Sequence, residues 1–195
     1  MTRPKSKRPW SEVLEVAPGP LALVQAFLNT DDGLRRLDEL ATGDALTGWL
    51  RHRQLVDDGY IADAAAAQRA REVREALRTV LRARRAGRLA EEATLRLDRE
   101  AQQTEVRVRF APDGDTRFEA VSDDLTGVFG QIFAAYSRGP DAGTLDRLKI
   151  CDNPRCRRAY YDRSPGGSSR WCSMAICGNR AKARTRRQRR GPSPR

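Results

Sequence analysis

The sequence predicts a mainly helical chain with one β-hairpin, forming an α+β N-terminal domain, followed by a small C-terminal zinc finger with four cysteines. Three observations lead to this prediction. Apolar residues recur at steps of three and four through residues 61–86, alternate with polar residues through 104–121, and give way to four cysteines within the last 45 of the 195 residues. With 39% hydrophobic and 6% aromatic residues, the core is expected to be mainly aliphatic.

The first helices are predicted from apolar runs and from the breaks between them. A basic tail is expected at residues 1–10, and the nearly all-apolar segment 21–28 follows a Pro-Gly-Pro break as a buried helix. Residues 29–33 end this helix and supply caps for a second helix over residues 34–40. Asp44 is predicted to cap the third.

The middle of the chain carries the longest predicted helix, over residues 61–86, with Gly87 as its C-cap. A further helix is predicted over residues 88–101. The hydrophobic period then changes to two, which predicts a β-hairpin at about 104–121. A helix over residues 125–136 completes the domain.

These elements divide the chain into two folded units. A helical domain that contains the β-hairpin is predicted over residues 11–140, and residues 139–141 are expected to form the linker after it. A zinc finger is predicted over residues 145–187, followed by a disordered basic tail over 188–195.

The positive charge of the chain is concentrated at its C-terminal end. The formal net charge is +11, and the last 45 residues hold 13 lysines and arginines but two acids, so the first 150 residues are neutral overall. A basic arm on a neutral body is typical of a protein that binds a polyanion. No apolar run is long enough to span a membrane, and no secretory signal follows the basic start. We therefore expect a cytoplasmic protein with no membrane partner.

The four cysteines are spaced as a metal site. Cys151, Cys156, Cys172 and Cys177 form two C-x4-C pairs with fifteen residues between them, the arrangement of a tetrahedral thiolate zinc site. Two disulfides are the alternative, which a reducing compartment disfavours, and a redox dithiol usually has the spacing C-x-x-C. We predict one structural Zn²⁺ per chain, bound by these four residues.

The residues around the cysteines suggest how the site is stabilised. The turn at residues 152–154 is expected to direct backbone N–H groups at sulfur, and Arg155, Arg157 and Arg158 to offset the negative charge of the thiolates. Trp171 is expected to pack with a tyrosine over the metal. Because a segment of 45 residues buries little surface by itself, metal binding should supply much of its folding free energy.

Beyond Cys177 the chain is predicted to be a helix that is cationic over most of its circumference. A helix lying on a membrane needs an apolar stripe, whereas a helix in a nucleic-acid groove needs cations on several sides to reach both rows of phosphates. The pattern therefore favours nucleic acid, with a disordered solubilising tail as the alternative after about Gln188.

The first 150 residues show no catalytic constellation in the sequence. His52, the single histidine, lies between two arginines on a predicted helix, where a surface or packing role is expected. Acidic pairs fall at turns and helix starts, where carboxylates cap free N–H groups. Asn29 and Thr30, at the end of an apolar helix, are candidates for lining a ligand pocket. We therefore do not expect an enzyme.

The segment around the second cysteine pair resembles a known zinc finger. The runs RWCSM (residues 170–174) and CGNRAK (177–182) are similar to the CGNR zinc finger, which is found at the C-terminus of bacterial proteins whose N-terminal part is called the ABATE domain. The runs LAL (21–23), FLNT (27–30) and WL (49–50), with the helix–hairpin–helix order, resemble that domain. Such proteins are proposed to be stress-induced transcription regulators.

The resemblance implies that the four cysteines are metal ligands and that Gly178, Asn179 and Arg180 belong to the segment that contacts DNA. The chain departs from the family at residues 165–167, Pro-Gly-Gly, where relatives tend to carry basic and polar residues. We predict that nucleic acid is contacted by seven residues: Arg170, Asn179, Arg180, Lys182, Arg184, Arg186 and Arg187.

Together these observations predict a zinc-dependent DNA-binding protein of the bacterial nucleoid, a transcription regulator whose N-terminal domain senses a small-molecule effector or mediates homodimerisation. An RNA- or ribosome-associated zinc protein is an alternative, since the same arginines would bind either nucleic acid. A third hypothesis is a small enzyme in the N-terminal domain, with the finger as a targeting module.

Overall fold

The computed structural model of the chain describes residues 15–190, without the side chains of Asp141, Arg187, Arg189 and Arg190. Within this part, the predicted fold class is confirmed, with six α-helices, short antiparallel strand pairs and a four-cysteine cluster near the C-terminus. The tail predicted at residues 1–10 lies outside the described residues. Of the tail predicted at 188–195, residues 188–190 belong to the last α-helix, and 191–195 lie outside the described residues.

The helices and strands follow one another in an order close to the predicted one. The helices are α1 (Leu21–Leu28), α2 (Gly43–His52), α3 (Ala64–Arg85), α4 (Glu91–Ala101), α5 (Leu125–Asp141) and α6 (Asn179–Arg190). The antiparallel pairs are β1 (Asp31–Asp32) with β2 (Leu37–Asp38), β3 (Val106–Phe110) with β4 (Thr116–Ala120), and β5 (Leu148–Ile150) with β6 (Ala159–Tyr161). A 3₁₀ turn, Leu145–Arg147, precedes β5, and a π-helical turn, Met174–Gly178, precedes α6. In the described part of the chain, the helices are too short or too polar to cross a membrane.

Helix α1 lies at the centre of the hydrophobic core. Leu21, Val24, Phe27 and Leu28 are all buried, and the helix packs against α3, α5 and β6. The ring of Phe27 lies 5.9 Å from that of Trp49, measured between centroids. A helix that is apolar on nearly every side is stable in water only when other elements surround it, as they do here.

Helix α3 confirms the longest predicted helix and begins and ends with recognised capping motifs. The Asp63 carboxylate accepts a hydrogen bond from the Ala66 N–H at 2.7 Å. At the other end, Gly87 has φ of +61°, and the Arg88 N–H donates to the Ala83 carbonyl at 2.9 Å. This Schellman motif stops the helix and folds Arg88 back beside its last turn.

The predicted β-hairpin is confirmed as β3 and β4, with Val108 opposite Phe118 in the register. The hairpin packs against α5, whose N-cap is Asp124. The outer part of its apolar face is uncovered in the described chain, with Phe110 79% and Val108 51% exposed.

The predicted helix over residues 34–40 is wrong. The Asp32 carboxylate accepts hydrogen bonds from the backbone N–H groups of Leu34 and Arg35, at 3.1 and 3.3 Å, and thereby forms a turn that joins two-residue strands. Arg36 has φ of +56°, which a right-handed helix does not allow. The side chain that we expected to cap a helix therefore folds the segment into a small hairpin instead.

Two other boundaries differ from the predictions. Thr42, and not Asp44, caps α2, since its hydroxyl accepts from the Ala45 N–H at 3.2 Å. Residues 139–141, expected to be a linker, form the last turn of α5. A Cβ at Gly139 would lie 2.9 Å from the Leu145 side chain, and the Thr144 N–H donates to the Gly139 carbonyl at 2.9 Å, so the three residues between α5 and the 3₁₀ turn fold back on the end of the helix.

Candidate metal centre

The four cysteines converge on one point. One Sγ atom from each of Cys151, Cys156, Cys172 and Cys177 lies within 4.8 Å of the others, and none of the four cysteines forms a disulfide. A tetrahedral zinc ion with Zn–S bonds of about 2.3 Å requires sulfur atoms about 3.8 Å apart. The measured separations include 3.5 Å for Cys156–Cys172 and 3.8 Å for Cys172–Cys177, so the donor set fits zinc.

Backbone and amide N–H groups converge on the sulfur atoms. The backbone N–H groups of Asn153 and Cys172 donate to Cys151, and that of Arg158 donates to Cys156. Asn153 belongs to the predicted turn at residues 152–154, which therefore directs a backbone N–H at the Cys151 sulfur. Sequence reasoning missed the Asn153 side chain, whose Nδ2 donates to the Cys177 sulfur at 3.4 Å. Asn153 thus links the two cysteine pairs through groups that stabilise thiolates.

The crowding of the thiols determines which of them ionises first. Hydrogen bonds from the Cys156 and Cys172 thiols lower the pKa of Cys151 to about 2. The Cys151 sulfur in turn raises the pKa of Cys156 to about 12, and it raises the pKa of Cys172 far above its usual range. Four thiolates so close together repel one another, so they can coexist only around a cation. A divalent metal supplies that charge and displaces the thiol protons when it binds.

An apolar cluster covers the cysteines. Tyr160 is buried with them, and Trp171, Ile176 and Leu34 pack on the same cluster. The Tyr160 hydroxyl donates to the Ser169 carbonyl at 2.7 Å, which satisfies its polar end. Trp171 and Tyr160 therefore both belong to the cluster over the cysteines, and Leu34 of the β1–β2 turn joins it from the N-terminal domain.

The finger is not a separate unit in space. Leu148 and Ile150 of β5, with Ala159 and Tyr161 of β6, are buried in the same core as α1 and α5. A Cβ on Gly33, in the β1–β2 turn, would lie 2.6 Å from the Arg155 carbonyl oxygen, so the turn and the first cysteine pair are in direct contact. The first half of the finger, residues 147–162, is thus built into the N-terminal domain. The sequence, by contrast, predicts two folded units joined by a linker.

The arginines of the first cysteine pair serve this junction. Arg158 forms a buried ion pair with Asp32. Arg157 lies 2.6 Å from the Asp31 carboxylate through Nε, and its Nη2 donates to Glu75 at the same distance. Charge offset at the thiolates was the role expected of Arg157 and Arg158, but their guanidinium groups bind carboxylates of the N-terminal domain. The Asp31–Asp32 pair, predicted to cap a helix, supplies two of these carboxylates.

Asn29 and Thr30, the predicted pocket residues, are also part of the junction. The Asn29 amide donates to the Ala159 carbonyl at 2.9 Å and accepts from the Ala159 N–H at 2.8 Å, as a neighbouring strand would. The Thr30 hydroxyl donates to the Phe27 carbonyl at 2.7 Å and accepts from Arg74 at 3.0 Å. Their polar atoms thus hold β6 and α3 through hydrogen bonds within the chain.

The residues predicted to contact nucleic acid lie on the other half of the finger. Arg180, Lys182, Arg184 and Arg186 on α6 are exposed, and none of them forms an ion pair with the described residues. Asn179 is exposed and its amide donates to the Ala175 carbonyl at 3.2 Å. Arg170 binds Asp152 at 2.8 Å with its guanidinium 5.5 Å from the Trp171 ring. The side chain of Arg187 lies outside the described residues.

Two known family models match successive parts of the chain. The model of the CGNR zinc finger matches residues 147–190, which include all four cysteines and the whole of α6. The ABATE model, described as "Putative stress-induced transcription regulator", matches residues 21–137, from α1 into α5. No curated protein matches the chain. The chain therefore belongs to the ABATE family and ends in a CGNR zinc finger.

Proposed function

We propose that this protein is a zinc-dependent, DNA-binding transcription regulator of the bacterial nucleoid, and not an enzyme. One structural zinc per chain would be held by Cys151, Cys156, Cys172 and Cys177. The observation that carries the proposal is the position of α6, which begins two residues after the Cys177 ligand and exposes cations without partners among the described residues.

A bound metal would fix the start of the cationic helix α6 relative to the rest of the protein. Because Cys177 would bind the same ion as Cys151 and Cys156, the start of α6 is fixed to the buried half of the finger. Asn153 strengthens this connection through its hydrogen bond to Cys177. Zinc supplies the cation that holds the thiolates together and takes no part in a reaction.

The dimensions and charge of α6 suit a duplex groove. Its 12 residues make a helix about 18 Å long, and the major groove of B-form DNA is about 12 Å wide. Cations around the helix reach phosphates on both sides of the groove while others face base edges. The major groove of A-form RNA is too deep and narrow for such a helix, which favours DNA over RNA.

The test is a titration of the zinc-loaded protein against duplex DNA at several salt concentrations, followed by fluorescence anisotropy. With about five to seven phosphates neutralised, the logarithm of the affinity should fall against the logarithm of salt with a slope of about −4 to −6. A slope near zero would contradict the proposal, and tighter binding to structured RNA in competition would favour the RNA alternative.

A pair of charge-matched variants sharpens this test. Arg180→Gln with Arg184→Gln removes two cations from α6 and should reduce the slope by about 2. Arg107→Gln with Arg117→Gln removes two exposed cations from the β3–β4 hairpin, which lack ion-pair partners among the described residues, and should leave the slope unchanged.

We also propose that the N-terminal domain mediates homodimerisation or binds a small-molecule effector. The exposed Val108 and Phe110 support the first role, since uncovered apolar side chains favour association. Sedimentation equilibrium should show a dimer that Phe110→Ser weakens. A monomer at all concentrations would leave effector binding as the role of the domain.

A further inference from the structure

A cleft of about 600 Å³ lies between the end of α3 and the first cysteine pair of the finger. One wall is the last turn of α3 with the Schellman motif that ends it, which together contribute Arg82, Arg85 and Arg88. The opposite wall includes Cys151 and Arg157, and Arg170 completes the lining. Five arginines from three separate segments thus face one space.

A single carboxylate, Asp152, lines the cleft with these five arginines. Asp152 accepts from Arg85 at 2.9 Å and from Arg170 at 2.8 Å, so it holds one arginine of each wall in place. Arg82 and Arg88 are exposed, and neither has an ion-pair partner among the described residues. Arg157 is paired with Asp31 and Glu75, so the positive charge left in the cleft comes from Arg82, Arg88 and the two arginines that share Asp152.

The dipole of α3 explains the presence of two of these arginines. Cations near a helix C-terminus are stabilised by the carbonyl groups there, so Arg82 and Arg85 have a structural role. That role does not extend to Arg88, which lies beyond the helix, or to Arg170, which comes from the finger. Arg157 also comes from the finger, and its guanidinium is held by Asp31 and Glu75. Convergence of guanidinium groups from distant segments is typical of a phosphate-binding surface.

The cleft is also adjacent to the start of the cationic helix. Cys151 lines it, and the Cys151 sulfur lies within 4.8 Å of that of Cys177, two residues before α6. Both surfaces are therefore anchored on the same metal centre.

We propose that the arginine cleft binds backbone phosphates of the DNA whose groove α6 enters, so that the N-terminal domain contributes directly to the nucleic-acid interface through Arg82 and Arg88. This inference rests on the proposed function and extends it from the finger to α3. Such contacts would fix the orientation of α6 on the duplex without reading its sequence.

The experiment uses the full zinc-loaded chain and the same salt titration. Arg82→Gln with Arg88→Gln should reduce the slope by about 2, as expected for the loss of two phosphate contacts. The Arg107→Gln and Arg117→Gln control removes the same charge from the hairpin and should leave the slope at the wild-type value. Circular dichroism and zinc content should show that both double variants are folded and metal-loaded.

The outcomes separate this inference from the proposed function. If the α6 variants reduce the slope and the cleft variants do not, the cleft proposal is overturned and DNA binding by the finger stands. If the wild-type protein does not bind DNA, both are overturned. If calorimetry shows that inorganic pyrophosphate binds and that the cleft variants abolish this binding without changing the DNA slope, the cleft is a site for a small phosphorylated molecule, and the proposal is wrong.

Discussion

The two halves of the zinc finger differ in how they are held. In the first half, residues 147–162, both strands are buried in the core of the N-terminal domain, and arginines next to Cys156 bind its carboxylates. In the second half, residues 170–190, helix α6 is exposed and contacts mainly the turn before it. The difference indicates that a metal bound by the four cysteines would not fold an isolated domain, but would join an exposed element to one that is already part of the core.

Removal of the metal should produce the largest effect, and it should affect one half. Structural zinc in small fingers contributes about 10–16 kcal/mol of apparent binding free energy, and the second half has little else to stabilise it. After chelation, we expect the backbone amides of residues 172–190 to exchange hydrogen as in an unfolded chain. Those of β5 and β6 should stay protected, as followed by hydrogen-exchange mass spectrometry.

Variants of single ligands test the same point without a chelator. Cys177→Ser and Cys156→Ser change ligands in opposite halves of the finger. Both variants should lose the one zinc per chain measured by elemental analysis, and in both the backbone amides of residues 172–190 should exchange as in an unfolded chain. Loss of protection in β5 and β6 would show that the first half also depends on the metal, and the contrast between the halves would not hold.

The buried ion pair of the junction should give the next largest effect. Asp32→Asn leaves the Arg158 guanidinium buried beside a neutral group, and breaking such a pair costs about 3–5 kcal/mol of unfolding free energy. Denaturant unfolding measures the change. Glu119→Gln breaks the exposed Arg109–Glu119 pair and should cost less than about 1 kcal/mol. Equal effects of the two substitutions would contradict a junction role for Asp32.

A smaller loss is expected when the amide that holds β6 is removed. Asn29→Ala leaves the N–H and carbonyl of Ala159 without their partner, which costs about 1–3 kcal/mol for buried groups. Asn179→Ala removes an amide of the same kind from the exposed start of α6, so it should change stability by no more than about 0.5 kcal/mol. The denaturation midpoints of both variants provide the comparison.

Sequence patterns predicted the elements that are specified by residues close together in the chain. The periodic apolar residues of α3, the alternation in β3 and β4, and the spacing of the cysteines each involve residues close together in the chain. Resemblance added the family of both parts, which the family models confirm. The metal ligands and the exposed cations of α6 were therefore found from the sequence.

The junction was not predicted, because it depends on contacts between distant residues. Asn29 meets Ala159 across 130 positions, and Asp32 meets Arg158 across 126. In the sequence, an Asp-Asp pair after an apolar helix can be a helix cap as well as an ion-pair partner for a distant arginine. An arginine beside a cysteine can balance thiolate charge as well as bind a distant carboxylate. The β1–β2 hairpin could be recognised only in the structure, where its aspartates contact arginines of α3 and of the finger.

Acid should weaken the attachment of the β1–β2 hairpin to α3 by a smaller amount. Burial alone would raise the pKa of Asp38, but hydrogen bonds from Arg74, at 2.6 and 2.8 Å, and from the Leu40 N–H hold it below its usual value of 3.8. The unfolded chain therefore takes up the proton first as the pH falls, so this stabilisation is complete above about pH 4 and is lost below it. Unfolding free energies of the chelated protein between pH 5 and pH 3 exclude any contribution from metal loss. Asp38→Asn should reduce the pH dependence in this range, and an unchanged dependence would show that the carboxylate does not stabilise the hairpin on α3 through its charge.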